Sequence, residues 1–162
     1  VRNRPPPPRI LGAYLKNNAV YNPQGDGAIS HINYSEQALL ISGFGNGQGI
    51  RPALKQGSDI YLGPLLTSPD FSWTPKQING LTSNSFYLAP EVLSVHPDFS
   101  ATGLPITFGF ARLTTTPSNG FTIIGGIDNW RVDVVSVPEP ASCSLSLLAL
   151  ALGIRVARRK RS

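Results

Sequence analysis

Between Ile10 and Val137 short apolar runs alternate with turn-forming residues roughly every eight to twelve positions. Eight runs have the length and composition of strands: Ile10 to Leu15, Ala28 to Tyr34, Gln37 to Ser42, Asp59 to Gly63, Ser85 to Pro90, Pro105 to Leu113, Phe121 to Gly125 and Trp130 to Val137. Two of them alternate with period two, which places Ile106, Phe108 and Phe110 on one face and Trp130, Val132 and Val134 on another. The segments between them, "NPQGDG", "GFGNGQG", "TSPD", "HPDFSATG" and "TPSNG", are dense in the residues that supply turn conformations. No apolar stripe at helical spacing precedes the C-terminal tail. The pattern predicts an all-β domain over residues 10–137, an antiparallel β-sandwich of jelly-roll-like form, behind a proline-rich leader at residues 1–9.

Composition agrees with this. Of 162 residues only 14% are charged, while Gly and Pro number 16 and 15. The net charge of +5 points towards nucleic acid until the charges are placed. Arg2, Arg4 and Arg9 lie in the leader, and Arg155, Arg158, Arg159, Lys160 and Arg161 lie at the end. The body between them carries a slight acidic excess, so no basic folded face is expected and nucleic acid is excluded as a partner. A lone Cys143 excludes an internal disulfide and any cysteine-based metal site. Methionine is absent, so any secretory signal is expected to precede Val1.

The last 25 residues follow different rules. From Ala141 to Ala157 the one charge is Arg155, and Leu145, Leu147, Leu148, Leu150, Leu152 and Ile154 make the stretch apolar on all sides. A helix over this stretch spans roughly 25 Å, marginal for a single transmembrane-type helix. Pro138 and Pro140 stop it from starting earlier, and Arg158, Arg159, Lys160 and Arg161 would hold its end on the cytoplasmic side. The body is therefore expected outside the cytoplasm. The order Val137-Pro138-Glu139-Pro140, then a Leu/Ala run, then "RRKR" resembles the PEP-CTERM sorting signal of exported bacterial proteins. That resemblance implies Sec export, recognition by an exosortase at the inner membrane of a Gram-negative-type host, cleavage near the Pro-Glu-Pro triplet, and delivery to the cell surface or extracellular matrix, often alongside extracellular polysaccharide. It assigns residues 138–162 to the signal.

"IDNW", Ile127 to Trp130, is similar to the Ile-Asp-Asn-Val opening of the last strand in many PEP-CTERM and carbohydrate-binding-like sandwiches. The resemblance implies that Asp128 can serve as a structural calcium ligand; the residues alone, with no acidic neighbour nearer than Asp133, favour an Asx-turn opening a strand. No other cofactor is expected. Catalytic signatures are missing from the text: there is no G-x-S-x-G elbow, and His31 and His96 lack metal spacing. Asp59, Asp70, Glu91 and Asp98 could form a carboxylate pair only if the fold brings two of them together. The chain is accordingly expected to be non-catalytic, with a secreted carbohydrate-active hydrolase and a purely structural biofilm protein as alternatives. For a glycan-associated surface protein the aromatic candidates are Trp73, Tyr61, Phe71, Tyr87 and Trp130. "DFSW" offers Phe71 and Trp73 as the exposed pair, since it lies between Pro69 and Pro75, and Trp130 is expected to be buried.

Overall fold

A computed structural model describes residues 9–43, 48–66, 71–90, 92–115 and 122–138. The fold is all-β with antiparallel pairing throughout. Among the described residues there are eight strands: β1 (Arg9–Tyr21), β2 (Ile29–Ser42), β3 (Gln48–Gln56), β4 (Asp59–Leu62), β5 (Thr74–Leu81), β6 (Tyr87–Leu88), β7 (Ile106–Thr115) and β8 (Ile124–Ser136). They form a five-stranded sheet in the order β1-β7-β3-β4-β6 and a three-stranded sheet in the order β5-β2-β8. Helix among the described residues is limited to α1 (Pro23–Asp26) and one 3-10 turn at Ser83–Ser85.

The two sheets share a core. Ile29, Ile32 and Tyr34 of β2 and Leu81 of β5 meet Leu54 of β3, Tyr61 of β4 and Ile106 and Phe108 of β7, with Phe86 and Phe99 closing the sides. Phe110, Trp130, Val132 and Val134 pack against its edge, so both rows expected from period-two alternation face inward. A smaller cluster of Ala53, Leu62 and Ala111 lies apart from this core.

The strand boundaries differ from the sequence expectation in ways that have causes. Ala28 to Tyr34 and Gln37 to Ser42 are one strand, β2, because Glu36 turns inward to a partner instead of ending the run. The runs expected at Phe121 to Gly125 and at Trp130 to Val137 are likewise joined in one strand, β8, which spans Ile124–Ser136 with Asp128 and Asn129 inside it as a bulge; Phe121 lies outside the described residues. β3 and β5 were not anticipated. Gln48 and Gly49, which read as part of a glycine-rich loop, open β3. Pro52 is tolerated there because its carbonyl accepts the Gly63 N–H at 2.8 Å on the side of β4, so its missing N–H leaves the β7 ladder intact. β5 carries Pro75 and Lys76 at a sheet edge, where proline and lysine also discourage pairing with other chains. The stretch Ser85 to Pro90 keeps only two strand residues, β6. β1 starts at Arg9, one residue inside the stretch read as leader.

One end of the molecule is closed by side chains. The Gln56 amide donates to the carbonyls of Asp98 and Leu104 at 2.7 and 2.9 Å and accepts the Asp98 N–H at 2.7 Å, which satisfies a buried amide completely. At the same end the Val137 N–H donates to the Ala28 carbonyl at 2.8 Å. β8 is therefore paired up to the residue before Pro138.

Candidate functional site

β1 and β8 are edge strands of different sheets, and a groove opens between them over β7. Both strands are irregular beside it. In β1 the pairing with β7 shifts between Leu15 and Val20, which loops Lys16 to Ala19 out of register. In β8 one extra residue stands opposite β2 between Ser35 and Gln37, and Asn129 takes it up with φ of 48°. Asparagine is among the few residues that enter the left-handed region readily. The Asp128 carboxylate accepts the Asn129 N–H at 2.7 Å, and Asn129 Nδ2 donates to Gln37 Oε1 at 3.0 Å, which holds the bulge. Gly109 is what lets β1 bend so close to β7: a Cβ there would stand 2.0 Å from the Tyr14 carbonyl oxygen.

The first compartment of the groove has a volume of about 470 Å³ and is lined by Tyr14, Lys16, Phe110, Asp128, Asn129 and Trp130 among others. Tyr14 stacks on Phe110 with centroids 5.1 Å apart and planes at 17°, while 56% of its surface stays exposed. Lys16 Nζ stands 5.2 Å from the centre of the Trp130 ring. Trp130 Nε1 is buried without a hydrogen-bond partner. A second compartment of about 380 Å³ continues along Tyr14, Phe110 and Ile127 to Gln48, Arg112, Gly125 and Gly126. Gln48 Oε1 is likewise buried and unpartnered.

Beneath the second compartment lies an ion pair between the sheets. Glu36 of β2, whose side chain is fully buried, accepts from Arg112 of β7 through Nη2 at 2.7 Å and Nη1 at 3.3 Å. The Tyr34 hydroxyl donates to the same carboxylate. Burial first, and the Glu36 charge second, push the Tyr34 phenol well above the usual tyrosine range, so it stays a donor. The Arg112 guanidinium sits 4.8 Å over the Phe110 ring, which links this network to the Tyr14 stack.

β8 ends at Ser136. Residues 136–161 match the PEP-CTERM protein-sorting motif. The motif starts on the last residue of β8 and implies processing by an exosortase and export through the membrane to the cell surface. No curated protein and no solved structure matches the chain.

Of the residues singled out from sequence, Val137 and Pro138 are exposed at the end of the body, whereas Glu139, Pro140, the apolar run and Arg158 to Arg161 lie outside the described residues. Among the described residues no helix is long and apolar enough to cross a membrane; the stretch expected to do so is not among them. Trp73 and Phe71 are exposed, at 48% and 60%, and line neither compartment of the groove. Trp73 rests over Gly126, where a Cβ would come within 2.9 Å of its ring, on the outer face of the three-stranded sheet. Tyr61 is core, Tyr87 is half-buried beneath Arg51, and Trp130 lines the groove rather than the deep interior. Asp128 is exposed, and among the described residues no three His, Cys, Asp or Glu side chains converge as a metal site requires. His96 Nδ1 meets the Phe86 carbonyl oxygen at 2.6 Å and His31 lies in β2. As for carboxylates, Glu36 is the buried one among the described residues, Asp59 and Asp98 are exposed, and Asp70 and Glu91 lie outside. The groove residues Tyr14, Phe110 and Gln48 were missed because they come together only through the Tyr14↔Phe110 and Gln48↔Thr114 registers, which join distant parts of the chain. The local signals that pointed there are the Gly125-Gly126 doublet and Asn129-Trp130.

Proposed function

We propose that the chain is a non-catalytic component of the cell surface or extracellular matrix of a Gram-negative-type bacterium, whose sandwich-type, jelly-roll-like body associates with extracellular polysaccharide. It passes transiently through the inner membrane, where an exosortase recognises Val137 to Pro140 with the apolar and basic segments behind them. The reading rests on one observation: β8 gives Asp128, Asn129 and Trp130 to an open groove and runs without interruption into the matched sorting motif. One strand thus carries both the addressed end and one wall of the groove. An aromatic-walled cleft with amide and hydroxyl neighbours suits recognition of a ligand. The body needs no cofactor for this role.

The test is made in the native host, with an internal tag in the loop around Pro23 to Gly27 and intact-mass analysis of inner-membrane and surface fractions. The surface form is expected to end near Pro140, without the apolar run and "RRKR". A tagged chain that stays uncleaved in the cytoplasm overturns the reading.

A further inference from the structure

Resting on that reading, we propose that the groove between β1 and β8 binds a neutral polysaccharide chain, one sugar face lying on Tyr14 and flanking hydroxyls meeting Trp130 Nε1 and Gln48 Oε1. Four features carry this. An exposed Tyr14 backed by Phe110 is a pre-set flat surface, and sugar rings present C–H faces that favour an aromatic π-cloud. The two buried unpartnered atoms have opposite sense, Trp130 Nε1 a donor and Gln48 Oε1 an acceptor. Leaving them unmet is unfavourable; both atoms are covered in the free structure, and a turn of each side chain towards the groove brings them to a hydroxyl-rich ligand, whose hydroxyls both donate and accept.

Charge decides between neutral and acidic glycans. Lys16 and Asp128 face the first compartment with opposite signs, and Arg112 in the second is neutralised by Glu36. No surplus cation remains among the described lining residues to select uronates or sulfates. Length follows from geometry, since the two compartments share Tyr14, Phe110 and Ile127 and so lie in series. A run of more than one sugar fits them, within the volume range of ordinary ligand sites.

The test uses the full chain in non-ionic detergent on an array of neutral hexose oligosaccharides, α- and β-linked, beside oligogalacturonates, followed by titration calorimetry with the best probe. Neutral oligosaccharides are expected to bind. Tyr14→Ala should weaken binding roughly tenfold and Trp130→Phe, which keeps the ring but removes the donor, by severalfold. Trp73→Ala, on the outer face, should bind like the parent, and the circular dichroism of each variant checks that it remains folded. Binding that Tyr14→Ala and Trp130→Phe leave intact, or that Trp73→Ala abolishes, overturns the groove assignment while the glycan-associated reading stands. Binding confined to oligogalacturonates and lost in Lys16→Ala overturns neutrality alone. A surface-delivered chain that binds nothing on the array overturns the glycan role altogether and leaves the sorting reading in place.

Discussion

Arg112→Met tests whether the buried ion pair ties the two sheets together. The Glu36 side chain is wholly excluded from solvent, and it accepts from Arg112 twice and from Tyr34 once. Removing the guanidinium leaves an ionised carboxylate between the sheets with a phenol as its one remaining partner. Stranding a buried charge in this way costs on the order of 3 kcal/mol or more. For a domain of this size that corresponds to a fall in Tm of roughly 10 °C. Glu36→Gln in the same background removes the stranded charge and keeps an acceptor for Tyr34, so the double variant should recover about 1.5 kcal/mol relative to Arg112→Met. Urea unfolding of the full chain in detergent, followed by circular dichroism on the parent, Arg112→Met, Glu36→Gln and the double variant, completes the cycle. If Arg112→Met lies within 1 kcal/mol of the parent, or if the two changes simply add, the carboxylate is not a charge held by Arg112 and the network does not join the sheets.

Two further outcomes follow. Burial raises the phenols of Tyr21, Tyr34 and Tyr61, with neighbouring Asp26, Glu36 and Asp59 adding to the effect. A phenol raised on folding contributes stability that is whole below the ordinary value of about 10 and is lost as pH climbs towards the raised native value. In a base titration Tyr34 tyrosinate absorbance should therefore appear together with loss of the β-sheet signal; complete ionisation of all five tyrosines with the sheet signal intact would refute this. Two glycines should differ sharply. Gly109→Ala drives a Cβ into the backbone of Tyr14 and Leu15, at 2.0 and 2.9 Å, and should cost about 3 kcal/mol. Gly126→Ala meets only the Trp73 ring, which can swing away, so stability should change by under about 1 kcal/mol while Trp73 fluorescence shifts; equal costs in urea unfolding would count against both assignments.

How far the sequence was legible depended on where each residue's partners lie. β7 and the second half of β8 could be read because each has one face on the core, where Ile106, Phe108, Val132 and Val134 recur at every second position. β3 defeated that logic because Pro52, Ala53 and Leu54 are buried in succession: Ala53 belongs to the second cluster and Leu54 to the main core. A strand covered on both faces loses its alternation. β2 was cut in two at Glu36, and the charge that seemed to end a strand is the acceptor at the centre of the inter-sheet network. Whether a lone Glu in an apolar pattern faces out or in is decided by a partner 76 positions away, Arg112, and local pattern carries no trace of it. The exposure of Trp73 and Phe71 was legible from their prolines, whereas the groove was not, since its wall is made by register shifts in two edge strands.

That wall also bears on how the body tolerates removal of its C-terminal segment. The last pairings of β8 are Ser136 against Ile29 and the Val137 N–H on the Ala28 carbonyl, and the Ile29 N–H is itself held by the Phe99 carbonyl at 2.8 Å. A cut at the Pro-Glu-Pro triplet, the position proposed above, falls beyond all of these bonds. It removes no described residue of the core and none that lines the groove. The bulge at Asn129 stands between this end and the glycine doublet, and it is fixed by Asp128 and Gln37 independently of anything after Ser136. Tension or cleavage at Pro138 therefore acts on the last strand pairs at one end, while the groove is set by β1, β7 and the first half of β8. A cut on that side of Ser136 therefore leaves the residues that shape the groove in place.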